Sequence, residues 1–137
     1  MKLIDTNVFI RYLIGDDAAK QQQSRALFER ILAGQEDAVT LDIVIHEICY
    51  VLSASTHYNL THREIRDRLY PVLAMPGLHL ADKSLCLEAL NIFAMGEKID
   101  FADALAVAHV RNGMVDGIYS FDRKLDNLPG SVRLVPS

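Results

Sequence analysis

Short apolar runs alternate with helical stretches along this chain, and that alternation restricts the fold more than any other feature. The runs fall at residues 3–4, 38–41, 78–80, 117–121 and 132–135. Each has the length of a buried strand rather than a helix. Strands separated by helices imply a parallel sheet with right-handed crossovers, hence a three-layer α/β/α fold around a central, mostly parallel five-stranded sheet. Half of the 137 residues are hydrophobic, enough to give one domain, residues 1–137, a real core without disulfides or structural metal.

The intervening stretches read as helices. Residues 17–34 carry an apolar stripe of Ala19, Ala26, Leu27, Ile31 and Leu32, with Gly34 as the stop. Asp42 is the expected cap of a helix that buries Val44, Ile45, Ile48, Val51 and Leu52. Thr61-His62-Arg63-Glu64 is a capping box, opening a helix that Pro71 must kink or end. Its Arg63, Arg66 and Arg68 form a basic face, with Glu64 and Arg68 at ion-pair spacing. Asp82 is the expected cap of the next helix. The stretch from Ile99 to Gly113 is small and apolar on nearly every side, which calls for tight packing between the sheet and another helix.

Several classes are disfavoured at once. A formal net charge of −4 argues against binding nucleic acid by bulk charge, though it counts a metal-holding carboxylate cluster at its bare charge. Cys49 and Cys86 lie far apart in apolar helical patterns and read as buried thiols of a reducing compartment. His46, His57, His62, His79 and His109 show no metal-ligand spacing, and no Cys/His cluster indicates zinc. With Asp5 in place of a signal-peptide core and no long apolar span, a cytoplasmic protein without a membrane segment is expected.

The acids carry the chemical signal. Asp5 ends the first apolar run, at the carboxyl edge of a strand, where open parallel sheets bind ligands. An Asp there also suits a helix cap, although Thr6 and Asn7 are available for that task. Asp122 repeats the arrangement after the fourth run. Asp100 and Asp103 share one face of the first turn of the apolar helix. Glu47 lies one turn into the helix after Asp42, off its apolar stripe, where a solvated surface role is the plain alternative. In a parallel sheet Asp5, Glu47, Asp103 and Asp122 return to one edge. Carboxylates crowded together repel unless cations intervene, and Mg²⁺ or Mn²⁺ prefers such oxygens. A bound ion of this kind activates water and stabilises charge on phosphate, which suits phosphodiester hydrolysis.

Leu3-Ile4-Asp5-Thr6-Asn7, the mid-chain Glu47, Phe101-Ala102-Asp103-Ala104 and Ser120-Phe121-Asp122 together resemble the PIN domain. In length and motif order the chain is similar to the VapC-type toxins of toxin–antitoxin pairs. The resemblance implies a PIN-like fold and a metal-dependent endoribonuclease. It implies Asp5, Glu47, Asp103 and Asp122 as the catalytic acids, with Asp5, Asp103 and Asp122 on Mg²⁺ or Mn²⁺. Asn7 and Ser120 match supporting positions, and Asp100 and Asp126 are nearby acids that assist. The implied partners are an RNA substrate, a small VapB-type antitoxin and a second copy in a homodimer. Apolar residues beside the acids, namely Phe9, Tyr12, Leu13 and Ile14 and then Ile43, Cys49 and Tyr50, are the expected docking surface for that antitoxin. Two other classes remain open from residues alone. An aspartyl-nucleophile phosphatase usually needs a second Asp where Asn7 stands, and a receiver-like or inert module would not need four acids.

Overall fold

The computed structural model describes residues 1–137. The order is β1 (Lys2–Leu3), α1 (Thr6–Leu13), α2 (Ala18–Leu32), β2 (Ala38–Val39), α3 (Asp42–Ser53), α4 (His62–Leu73), β3 (Leu78–His79), α5 (Lys83–Phe93), α6 (Phe101–Arg111), β4 (Ile118–Tyr119), a 3₁₀ turn (Arg123–Asn127) and β5 (Arg133–Leu134). The architecture is three-layer α/β/α. The five expected strands are present and every pairing is parallel. Their ladders form two groups, β1-β2-β3 and β4-β5. An apolar pattern sets the faces of a strand but not which edges come within hydrogen-bonding reach, so it does not reveal that partition.

Backbone bonds carry each ladder past its strands at the carboxyl end. Ile4 N–H donates to Val39 O at 2.9 Å, Thr40 N–H to His79 O at 2.9 Å and Ser120 N–H to Leu134 O at 3.0 Å. The Thr40 hydroxyl also donates to Ile4 O, at 3.2 Å inside the core. Asp5 and Asp122 therefore leave the sheet where its last rungs are pinned.

Thirty buried apolar side chains form one cluster. Phe9 of α1 meets Phe28 of α2 with ring centres 5.3 Å apart, and Tyr12 lies 4.6 Å from Phe28. Burying a Phe contributes about 1.5–3 kcal/mol, so this contact fixes how α2 lies on α1. It also shifts the expected stripe. Ser24, Phe28 and Ile31 face inward, whereas Ala19, Ala26 and Leu32 are exposed. One phenyl ring buries far more area than several alanines, and the helix turns to bury it. On α6, Ala104, Val107 and Ala108 are buried as the helix packs on α5, α3 and β4.

Four local expectations are met to different degrees. Leu41, not Asp42, is the N-cap of α3, and Asp42 falls in the first turn, where its charge complements the helix dipole. Asp82 does occupy the N-cap of α5, but with a left-handed backbone (φ 53°) and no capping bond. Pro71 lies inside α4, which ends soon after, at Leu73. Glu64 and Arg68 do not pair. Arg66 instead bonds Asp67 at 2.7 Å and Asn91 at 3.1 Å, while Arg68 donates to Leu13 O at 3.3 Å. A helical ion pair is worth about 0.2–0.5 kcal/mol, little enough for such contacts to outcompete it. Both cysteines are free and buried, and burial raises the Cys86 thiol to about 11. No helix is long and apolar enough to cross a membrane.

Candidate active site

The N-terminus of α6 is the most closely determined part of the acidic edge. Asp100 and Asp103 form a reciprocal capping box. Asp103 N–H donates to Asp100 Oδ1 at 2.8 Å, and Asp100 N–H donates to Asp103 Oδ2 at 3.1 Å. Each acid thus satisfies an amide that the helix leaves unpaired. The loop after β4 brings Asp122 to the same place. Its amide donates to Ser120 Oγ at 3.0 Å, and its Oδ1 accepts from Lys124 N–H at 3.1 Å. Between the two acids stands the Lys124 ammonium, 3.2 Å from Asp103 Oδ2 and 3.1 Å from Asp122 Oδ2. The Lys124 amide, followed by its ammonium, holds the Asp122 carboxyl below the usual carboxylate range. Asp122 first and Asp103 second push the lysine upward in return.

Asp126 is engaged differently. Its two oxygens accept from Arg133 Nε at 2.8 Å and Nη2 at 3.1 Å, while Arg133 Nη1 reaches Ser120 O at 3.1 Å. Arg133 lowers the Asp126 pKa, and the pair braces the Ser120 loop from β5. Asp126 is thereby a strut beneath Asp122.

Asp5 caps α1 itself, accepting from Thr6 N–H, so Thr6 and Asn7 are not the caps. The two readings of Asp5 are compatible, because capping uses one oxygen of an exposed carboxylate. Thr6 is buried, and its hydroxyl has no partner. Asn7 opens onto a groove of about 460 Å³ between α1 and α2, beside Arg11 and Lys20, and makes no bond to Asp5. Glu47 is exposed on α3. Its neighbour His46, with Cys49 and Tyr50, lines a cleft of about 190 Å³ whose far wall is Asp100, Phe101 and Lys124. That cleft places the middle and end of α3 opposite the turn that follows β4.

Lys124 thus draws Asp103 and Asp122 together and the capping box ties Asp100 to Asp103, while Asp5 and Glu47 make no hydrogen bond or ion pair with any of them. No three acids, histidines or cysteines are grouped closely enough to enclose a metal ion. Two carboxylates with one cation between them still fit a hard divalent ion, which is commonly held by one or two carboxylates and waters. The expected docking surface narrows. Phe9 and Cys49 belong to the core, and Tyr12, Leu13 and Ile14 are half-buried. Ile43 and Tyr50 stay 62% and 66% exposed, seven residues apart on the α3 face that also carries Glu47. Lys124 escaped the sequence reading, although a lysine two residues after an edge aspartate was its visible signal.

An α/β fold whose sheet edge gathers acids at α6 and behind β4 matches one family throughout. The PIN domain model covers residues 2–131, and the chain belongs to the PIN domain family. Among curated proteins it is similar to a VapC ribonuclease of Mycobacterium bovis and to ribonuclease VapC13 of Mycobacterium tuberculosis. Each is 27% identical over 140 residues, covering 98% of this chain and 99% of the relative. No solved structure matches the chain.

Proposed function

We propose that this protein is an endoribonuclease dependent on Mg²⁺ or Mn²⁺, acting as the toxin of a toxin–antitoxin pair. Membership of the PIN family and two full-length relatives named as ribonucleases support RNA as the substrate. The observation that carries the site is the Asp103–Lys124–Asp122 bridge, in which two carboxylates from separate elements share one cation. In this reading Asp5, Asp103 and Asp122 hold the divalent ion, and Glu47 completes the catalytic acids. When bound, the ion supplies an activated water and offsets charge on the phosphate.

The remaining groups keep these acids in place. Asp100 fixes one oxygen of the Asp103 carboxylate through its amide. Ser120 holds the Asp122 amide, and Arg133 with Asp126 holds Ser120. Asn7, two residues after Asp5 on α1, is the remaining supporting position in this reading. The single buried cluster supports one domain over residues 1–137. The exposed Ile43 and Tyr50 are a landing place for a helix of a small antitoxin, and a second copy completes a homodimer. The site of action is the cytoplasm.

Induced expression should arrest growth and fragment cellular RNA, and co-expression of the small protein encoded beside it should restore growth. A folded wild-type chain as harmless as its Asp103→Asn form, with RNA intact, would contradict the proposal.

A further inference from the structure

We propose that Lys124 is a built-in competitor for the divalent ion, holding the Asp103–Asp122 pair together until an ion displaces it. This rests on the reading of those two acids as ion ligands. The ammonium touches Oδ2 of both carboxylates, at 3.2 and 3.1 Å. A divalent ion shared by the two acids needs the same space, at about 2.1 Å from oxygen for Mg²⁺. An ammonium left within a few ångströms of such an ion would be strongly repelled, so the two occupancies exclude each other.

No other cation is available for the task. Arg133 is committed to Asp126 and to Ser120 O, and Arg123 makes no ion pair with either acid. Lys124 is also placed to move. Its backbone is anchored by the bond from its amide to Asp122 Oδ1, but the side chain is one-third exposed and its nitrogen bonds nothing except the two acids. Withdrawal into solvent breaks no other ion pair or side-chain hydrogen bond. The lysine thus does two things for the metal-free protein. It cancels repulsion between carboxylates carried on α6 and on the loop after β4, and it sets a threshold that the ion must exceed.

The test uses the full chain, stripped with chelator and titrated with Mn²⁺ while free Mn²⁺ is followed by electron paramagnetic resonance. Lys124→Met and Lys124→Gln both remove the charge, so one folded variant suffices. Two exposed ion pairs of ordinary strength predict roughly tenfold tighter Mn²⁺ binding by either variant. Lys124→Arg keeps the charge and should keep the wild-type affinity. In chelator the neutral variants should melt below wild type, and saturating Mn²⁺ should raise their melting temperature by more than it raises that of wild type. Unchanged or weaker Mn²⁺ binding by the neutral variants would overturn the competitor role. Wild-type affinity in Asp103→Asn would show instead that the ion sits elsewhere, and the reading of the acids as ligands would fall with it.

Discussion

The candidate acids fall into two unlike groups, a braced half and an open half. On the α6 side, Asp103 and Asp122 are bound to backbone amides, to Ser120 and to Lys124, with Arg133 and Asp126 bracing the loop from behind. On the α1 and α3 side, Asp5 has one bond to the next amide, and Glu47 makes no hydrogen bond or ion pair. The difference separates groups whose geometry is fixed by folding from groups free to adapt. A site needs ligands held within about half an ångström, and only the braced half is built that way. In the open half both carboxylates are exposed.

Replacing acids on each half sharpens the contrast. Asp103→Asn should lose at least about a hundredfold in RNA cleavage, beyond what a change behind a metal ligand costs, while keeping its circular dichroism spectrum. Ser120→Ala removes a support rather than a ligand, and should cost about tenfold in Mn²⁺ affinity by titration. Glu47→Gln should lower cleavage yet leave the unfolding free energy within about 0.5 kcal/mol of wild type, as exposed and unpartnered side chains do. Asp100→Ala, by contrast, removes a cap and should cost about 1 kcal/mol in urea unfolding. If Glu47→Gln destabilised the protein more than Asp100→Ala, the division into braced and open halves would be wrong.

These particulars also mark how far the sequence could be read. Acids placed directly after apolar runs put Asp5 and Asp122 just past strand ends, because a residue following a buried strand has to emerge there. Asp100 and Asp103 were legible as a pair because three-residue spacing on a first turn is a local property. Lys124 was not, since its partners come from α6 and from its own turn, and the approach of those elements is a tertiary fact. The buried stripe of α2 departs from the helical pattern for a related reason. Alanines fit the helical period, but Phe28 decides which face is buried. The sequence marks Asp126 as an acid near the site, but its charge is consumed by Arg133 of β5.

The smallest expected effect is on pH dependence. The Asp122 carboxyl lies below its ordinary 3.8 in the folded protein. Its stabilising contribution is therefore complete above that value and is lost as the pH falls through the lowered folded one. The stability difference between wild type and Asp122→Asn should be constant near neutrality and shrink below about pH 4. A difference that grew in acid would contradict the assigned direction.

In the proposed reaction these acids act through a divalent ion on water, with no role for the RNA 2′-hydroxyl. The most direct test is the chemistry of the ends produced on RNA by the purified protein in Mg²⁺, with a parallel reaction in excess chelator. The expected result is 5′-phosphate and 3′-hydroxyl ends in Mg²⁺ and no cleavage in chelator. Cyclic phosphate ends, or undiminished cleavage in chelator, would contradict it.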